Sequence, residues 1–177
     1  EAIDLQGNHS PLALMEFVVL PTTDRAPVVS QPQILSAVAG EKLTFQLQAT
    51  DPDGDAITRY SVDYTSLTQG GDLVCNENTG TCEYTPYAGF NSPVVATFRF
   101  AVSDGLLNSL TGTVQVNVDP KPSSASLKNL YQLLLKRDPS TTEVNNWLAA
   151  NLTYKQIQTQ LKASNEFYIV EKYNALL

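Results

Sequence analysis

The apolar residues keep one spacing up to Asp119 and a different one after it, and this change of period constrains the fold more than any other feature of the chain. In residues 42–50, Leu43, Phe45, Leu47 and Ala49 alternate with Thr44, Gln46, Gln48 and Thr50, the pattern of a strand with one buried face and one wet face. Phe98, Phe100 and Val102 alternate with Thr97, Arg99 and Ala101. Val114, Val116 and Val118 alternate with Thr113, Gln115 and Asn117. Residues 57–64 predict a further strand, and residues 73–75 and 82–84 predict a hairpin around an Asn/Gly turn. Beyond Asp119 the period becomes helical. Leu127, Leu130, Tyr131 and Leu134 share one face, and Ser140, Thr153 and Ser164 stand where helix N-caps belong, Ser140 with Glu143 in a capping box.

About seven short strands in some 95 residues is the size of an immunoglobulin-like β-sandwich. Four short helices in the remaining 55 or so make a small bundle. The expected organisation is therefore a sandwich over residues 24–119, a Pro-Lys-Pro-Ser-Ser linker within 120–125, and a helical domain over 126–177. Residues 1–23 then read as the terminal strand of a preceding repeat or as a strand added to the main sheet. Glu1 opens the chain with neither an initiator Met nor a signal peptide, which suggests an excised piece of a longer protein.

Charge divides the chain at the same place. The net charge is −7, yet residues 1–120 hold four Lys/Arg against fourteen Asp/Glu, a balance of −10, while residues 121–177 hold seven against four, a balance of +3. The acidic part argues against nucleic acid as a partner, because phosphate recognition needs a basic patch. No membrane span is expected, since residues 12–20 are apolar but too short and carry Glu16.

Within the strand region, Asp51, Asp53 and Asp55 fall in a single run, Ala-Thr-Asp-Pro-Asp-Gly-Asp. Three carboxylates this close repel unless water or a cation relieves them, and oxygen donors at alternating positions are what Ca²⁺ selects. The other reading of the run is a solvated turn that uses Pro, Asp and Gly for their backbone geometry. An EF-hand is excluded, because positions six and twelve counted from Asp51 are Ala56 and Val62 where Gly and Glu are needed. Any cation here must take further ligands from other loops.

Cys75 and Cys82 flank the predicted hairpin turn at a spacing that lets facing positions meet. A disulfide there implies an oxidising, extracytoplasmic compartment, and two free thiols are the alternative. A thiolate metal site lacks ligands, because there is no third Cys and His9 is the single histidine. The same scarcity removes the parts for nucleophilic catalysis, and glycine-rich phosphate loops are absent. No enzymatic activity is expected. Tyr60, Tyr64, Tyr84 and Tyr87 could form an aromatic platform for sugar rings. The plainer reading has Tyr60 and Tyr84 packed inside the sandwich and the other two at its ends.

Ala26-Pro27, the acidic run, Tyr84-Thr85-Pro86 with Gly89-Phe90, the stretch Phe-Arg-Phe-Ala-Val-Ser-Asp-Gly ending at Gly105, and the Val114, Val116, Val118 alternation occur in the order found in bacterial cadherin-like, immunoglobulin-like tandem repeats. The chain resembles those repeats over residues 24–119. The resemblance implies a non-enzymatic stalk or adhesion module of a secreted or cell-surface protein. Its partners would be neighbouring repeats, with a cell-surface protein or a carbohydrate beyond them. It also implies Ca²⁺ near a domain junction, held by Asp51, Asp53, Asp55, Asp104 and Asp24. Arg25 departs from the pattern, because its guanidinium can compete with a cation. Two alternatives stand beside this reading: a carbohydrate-binding or spacer module of a polysaccharide-active enzyme, and an assembly domain that uses the helical tail. Residues 123–177, with Leu-Leu-Leu-Lys-Arg-Asp-Pro and Trp147-Leu148, resemble a short helical domain of secreted calcium-repeat proteins that is similar to phycobilisome linker domains. That likeness bears on fold and context but not on chemistry.

Overall fold

A computed structural model describes residues 23–175 of the chain. The strand expected within residues 1–23 lies outside the described residues, apart from its last position. Nine strand segments follow: β1 (Val28–Val29), β2 (Gln33–Val38), β3 (Leu43–Gln46), β4 (Ala49–Thr50), β5 (Arg59–Asp63), β6 (Gly71–Cys75), β7 (Thr81–Pro86), β8 (Val94–Ser103) and β9 (Gly112–Asp119). One sheet has the order β2-β9-β8-β5 and the other β3-β7-β6, while β1 and β4 pair separately. All pairings are antiparallel except β2 with β9, which run parallel.

Alternation dictates the core. Phe98, Phe100 and Val102 of β8 and Val114, Val116 and Val118 of β9 are buried together with Leu47, Cys82 and Tyr84 from the opposite side. This is the aligned sandwich that two half-apolar sheets must form to hide their inner faces.

The continuous strand expected over residues 42–50 is instead two strands. The alternation still holds, since Leu47 is buried between exposed Gln46 and Gln48, but the backbone changes partner there. The Leu47 N–H donates to the Gly80 carbonyl (3.0 Å) on the β7 side, and the Gln48 carbonyl accepts from the Ser30 N–H (3.0 Å) on the β1 side. Gln33 fills the gap between them: its Nε2 donates to the Gln46 carbonyl (2.7 Å) and its Oε1 accepts from the Gln48 N–H (3.3 Å). Backbone groups released from one ladder are thereby re-paired. The strand expected over residues 57–64 is also shorter. Asp63 caps a single 3₁₀ turn, Tyr64–Ser66, by accepting from the Thr65 N–H (3.1 Å) and hydroxyl (2.6 Å).

Four helices follow: α1 (Ser124–Leu135), α2 (Thr141–Ala149), α3 (Tyr154–Lys162) and α4 (Asn165–Asn174). Reciprocal capping boxes open the first three, pairing Ser123 with Ser126, Ser140 with Glu143, and Thr153 with Gln156. Ser164 caps α4 by accepting from the Phe167 N–H. Each such cap is worth roughly 0.5–2 kcal/mol, a large share for helices of nine to twelve residues. Leu127, Leu130, Tyr131, Tyr154, Ile157 and Leu161 form their common core.

Candidate functional site at the acidic end of the sandwich

Three loops meet where the chain enters the sandwich: the entry segment at Asp24, the turn after β4 with Asp51, Asp53 and Asp55, and the turn after β8 with Asp104. Each turn folds locally on its own first carboxylate. Asp51 Oδ1 accepts from the backbone N–H of Asp53 (2.8 Å) and Asp55 (3.3 Å), and Gly54 takes φ +85°, a conformation that glycine reaches without Cβ strain. Asp104 Oδ1 accepts from the N–H groups of Leu106 (2.7 Å) and Leu107 (2.8 Å). One oxygen of each carboxylate is thus spent on holding its turn.

The other oxygen is left over. Asp24, Asp51 and Asp104 each carry a buried Oδ2 that has no hydrogen-bond partner among the described residues. Burial raises the pKa of Asp24, and the Asp104, Asp55, Asp51 and Asp53 carboxylates, in that order, raise it further. Asp24 therefore lies near enough to feel the other four predicted carboxylates, which come from two loops far from it in sequence. Buried acceptors without partners are rare in folded proteins and call for a physical explanation, of which a bound ion or ordered water is one. Among the described residues, however, no three carboxylate, thiol or imidazole groups already stand close enough to hold a metal ion. A cation at this end would have to draw the carboxylates inward and add backbone oxygens.

Asp53 is committed elsewhere. Arg25 donates to its Oδ1 from Nε (3.0 Å) and Nη2 (2.8 Å), and to its Oδ2 from the backbone N–H (2.8 Å), while Nη2 also reaches the Pro52 carbonyl (2.6 Å). These bonds hold the Asp53 carboxyl below the usual carboxylate range. The Asp24-Arg25 dipeptide was the sequence signal for this lock, and the arginine takes one carboxylate of the five instead of the whole cluster. Asp55 is exposed at the rim. Beside Asp104, Leu106 and Leu110 are 82% and 88% exposed, an apolar loop tip that strand alternation could not foretell.

The remaining candidates are structural. Cys75 and Cys82 are directly opposed in the β6–β7 hairpin and joined in a disulfide, their Cα atoms 4.0 Å apart. Tyr84 is fully buried and Tyr60 packs against the core, whereas Tyr64 and Tyr87 are exposed, so the four tyrosines form no single platform. Arg137 ties three helices by paired bonds to Glu143 (2.6 and 3.0 Å) and Glu166 (2.5 and 2.9 Å), with its guanidinium 5.0 Å from the Tyr131 ring centroid.

A family model described as a bacterial Ig domain matches residues 24–117, just over half of the chain. The chain belongs to the bacterial Ig domain family. The Ig-domain chain is also similar to several solved structures. Human protocadherin-24 EC1-2 is 17% identical with a TM-score of 0.42, over 56% of this chain and 46% of that one. An endo-fucoidan hydrolase of glycoside hydrolase family 107 is 24% identical with a TM-score of 0.40, over 57% and 14%. The sialic acid binding region of a Streptococcus sanguinis adhesin is 17% identical with a TM-score of 0.44, over 74% and 41%. The Ig-domain chain spans less than half the length of each. No curated protein matches it significantly.

Proposed function

We propose that this chain is a non-enzymatic adhesion or spacer module of a secreted or surface-attached bacterial protein, stiffened by Ca²⁺ at the end where the chain enters the sandwich. The observation that carries this reading is the set of three partnerless buried oxygens on Asp24, Asp51 and Asp104. A hard divalent cation supplies what a buried carboxylate oxygen lacks, and it removes the mutual repulsion of the cluster in the same step. Asp24, Asp51 and Asp104 would hold the ion, with Asp55 at the rim. Asp53 would join only by leaving Arg25. Binding would tie the entry segment to two loops of the sandwich and so limit bending between this domain and whatever precedes it.

The disulfide and the family membership support an extracytoplasmic site of action. Among the described residues no helix is long and apolar enough to cross a membrane. Titration calorimetry of Ca²⁺ into chelator-treated protein tests the reading. Saturable binding that Asp104→Asn weakens supports it, and a flat trace removes it. Mg²⁺ should bind poorly, because it demands a tighter octahedral shell.

A further inference from the structure

A second concave feature lies at the opposite end of the sandwich. Asp104 follows the last residue of β8, whereas Asp119 ends β9, which runs back antiparallel to it. The ten residues of β8 place the two ends about 30 Å apart. At the Asp119 end, a cleft of about 470 Å³ opens between the sandwich and the helices. One wall is Val38, Asp119 and Pro120, and the other is Trp147, Leu148 and Tyr154 from α2 and the start of α3.

The walls are fixed before any ligand arrives. The Asp119 carbonyl accepts from the Ala39 N–H (2.9 Å), Ser126 Oγ donates to the Lys121 carbonyl (2.9 Å), and Asn129 Nδ2 donates across the junction to the Asn91 carbonyl (3.1 Å). Trp147 Nε1 donates to the Tyr131 hydroxyl (2.7 Å), which anchors a half-buried indole that lines the cleft. Polar groups converge on the same space. Asp119 and Tyr154 both line the cleft, and burial first, then the Asp119 carboxylate, raises the tyrosine's pKa and keeps it a neutral donor. The charges balance: Glu41 pairs with Lys121 at 3.4 Å, and Lys155 offsets Asp119.

This combination selects a ligand class. A wholly apolar molecule would bury the carboxylate and the phenol without partners, at a cost that outweighs the gain of contact. An ion would find no net charge to draw it. A molecule with one apolar face and a ring of hydroxyls satisfies both surfaces, the face against an aromatic wall and the hydroxyls on convergent polar groups. We propose that the cleft between sandwich and helices binds a neutral pyranose sugar, set against Trp147 and hydrogen-bonded to Asp119 and Tyr154. The site is separate from the acidic end and does not rest on the calcium reading.

Trp147 is the single tryptophan of the chain, so its emission reports the cleft alone. The methyl glycosides of glucose, galactose and mannose are titrated into the full chain in the presence of chelator. At least one should give a saturable blue shift as the sugar displaces water from the indole. Asp119→Asn should weaken that sugar roughly tenfold or more, as loss of a charged hydrogen-bond acceptor does. Leu148→Glu, at a position 42% exposed, should fill the mouth and abolish the shift while circular dichroism stays unchanged. No saturable shift with any of the three sugars, or a shift that either variant leaves unchanged, overturns the proposal.

Discussion

Gly80→Ala should be among the most damaging single-methyl additions to this chain. Gly80 is buried at the end of the β6–β7 hairpin with φ +71°. Its N–H donates to the Asn76 carbonyl (2.8 Å) within the turn, and its carbonyl accepts from the Leu47 N–H (3.0 Å), so the turn cannot shift without breaking its own closure or the contact with Leu47. A Cβ at this position would stand 2.6–2.7 Å from three ring carbons of Tyr60, well inside contact distance. The left-handed conformation costs alanine roughly 1–2 kcal/mol, and forcing a methyl into a filled space costs roughly 1–3 kcal/mol. A loss of about 3 kcal/mol lowers the melting temperature of a domain this size by roughly 12–24 °C. Urea denaturation followed by circular dichroism measures the loss. Repeating the substitution in a Tyr60→Ala background separates the parts, because without the ring only the backbone cost of about 1–2 kcal/mol should remain. Equal penalties in the two backgrounds, or a penalty under about 0.5 kcal/mol, would refute the assignment of Tyr60 as the neighbour that makes glycine necessary.

Reduction of the Cys75–Cys82 disulfide releases a seven-residue separation and should cost about 2.5 kcal/mol by loop entropy, read as a lower urea midpoint in reductant; an unchanged midpoint counts against it. Arg25→Gln removes a cation from Asp53 and should tighten Ca²⁺ binding several-fold by calorimetry; an unchanged Kd would leave Asp53 outside the site. Arg137 holds the Glu143 carboxyl down to about 2 against an ordinary 4.5, and Glu166 is lowered as well. Their contribution is therefore present above about 4.5 and is lost as pH falls towards about 2. The helical circular dichroism signal should decline across that range, and less so in Glu143→Gln.

Much of the architecture was legible because it depends on local patterns. The alternation around Phe98 to Val102 and Val114 to Val118 put those side chains in the core, and Ser140, Thr153 and Ser164 are the caps that helix-start chemistry requires. The break at Leu47–Gln48 was not legible, because the side-chain alternation runs through it unchanged. What changes is the backbone partner, and the repair comes from Gln33, fourteen residues before Leu47. Strand β2 was missed for a related reason, since Ile34 faces outward at 57% exposure and breaks the expected match of apolar with inward. At the acidic end the sequence named the carboxylates. Which oxygens are spent on turns and which are left over depends on three loops meeting, and no single segment encodes that. The Trp147 cleft is assembled from β2, β9, α2 and α3, so no motif announces it.

The most direct test of the account is thermal denaturation of the chain in chelator and in excess Ca²⁺. A cation that binds only the folded state stabilises it by RT ln(1 + [Ca²⁺]/Kd), about 2.7 kcal/mol at a hundredfold excess over Kd. The account predicts a clear rise in melting temperature for the unsubstituted chain. It predicts a reduced rise for Asp104→Asn, whose chelated form should melt no lower because one repelling charge is gone. Superimposable melting curves in chelator and in Ca²⁺ would contradict it and leave the acidic end as solvated turns.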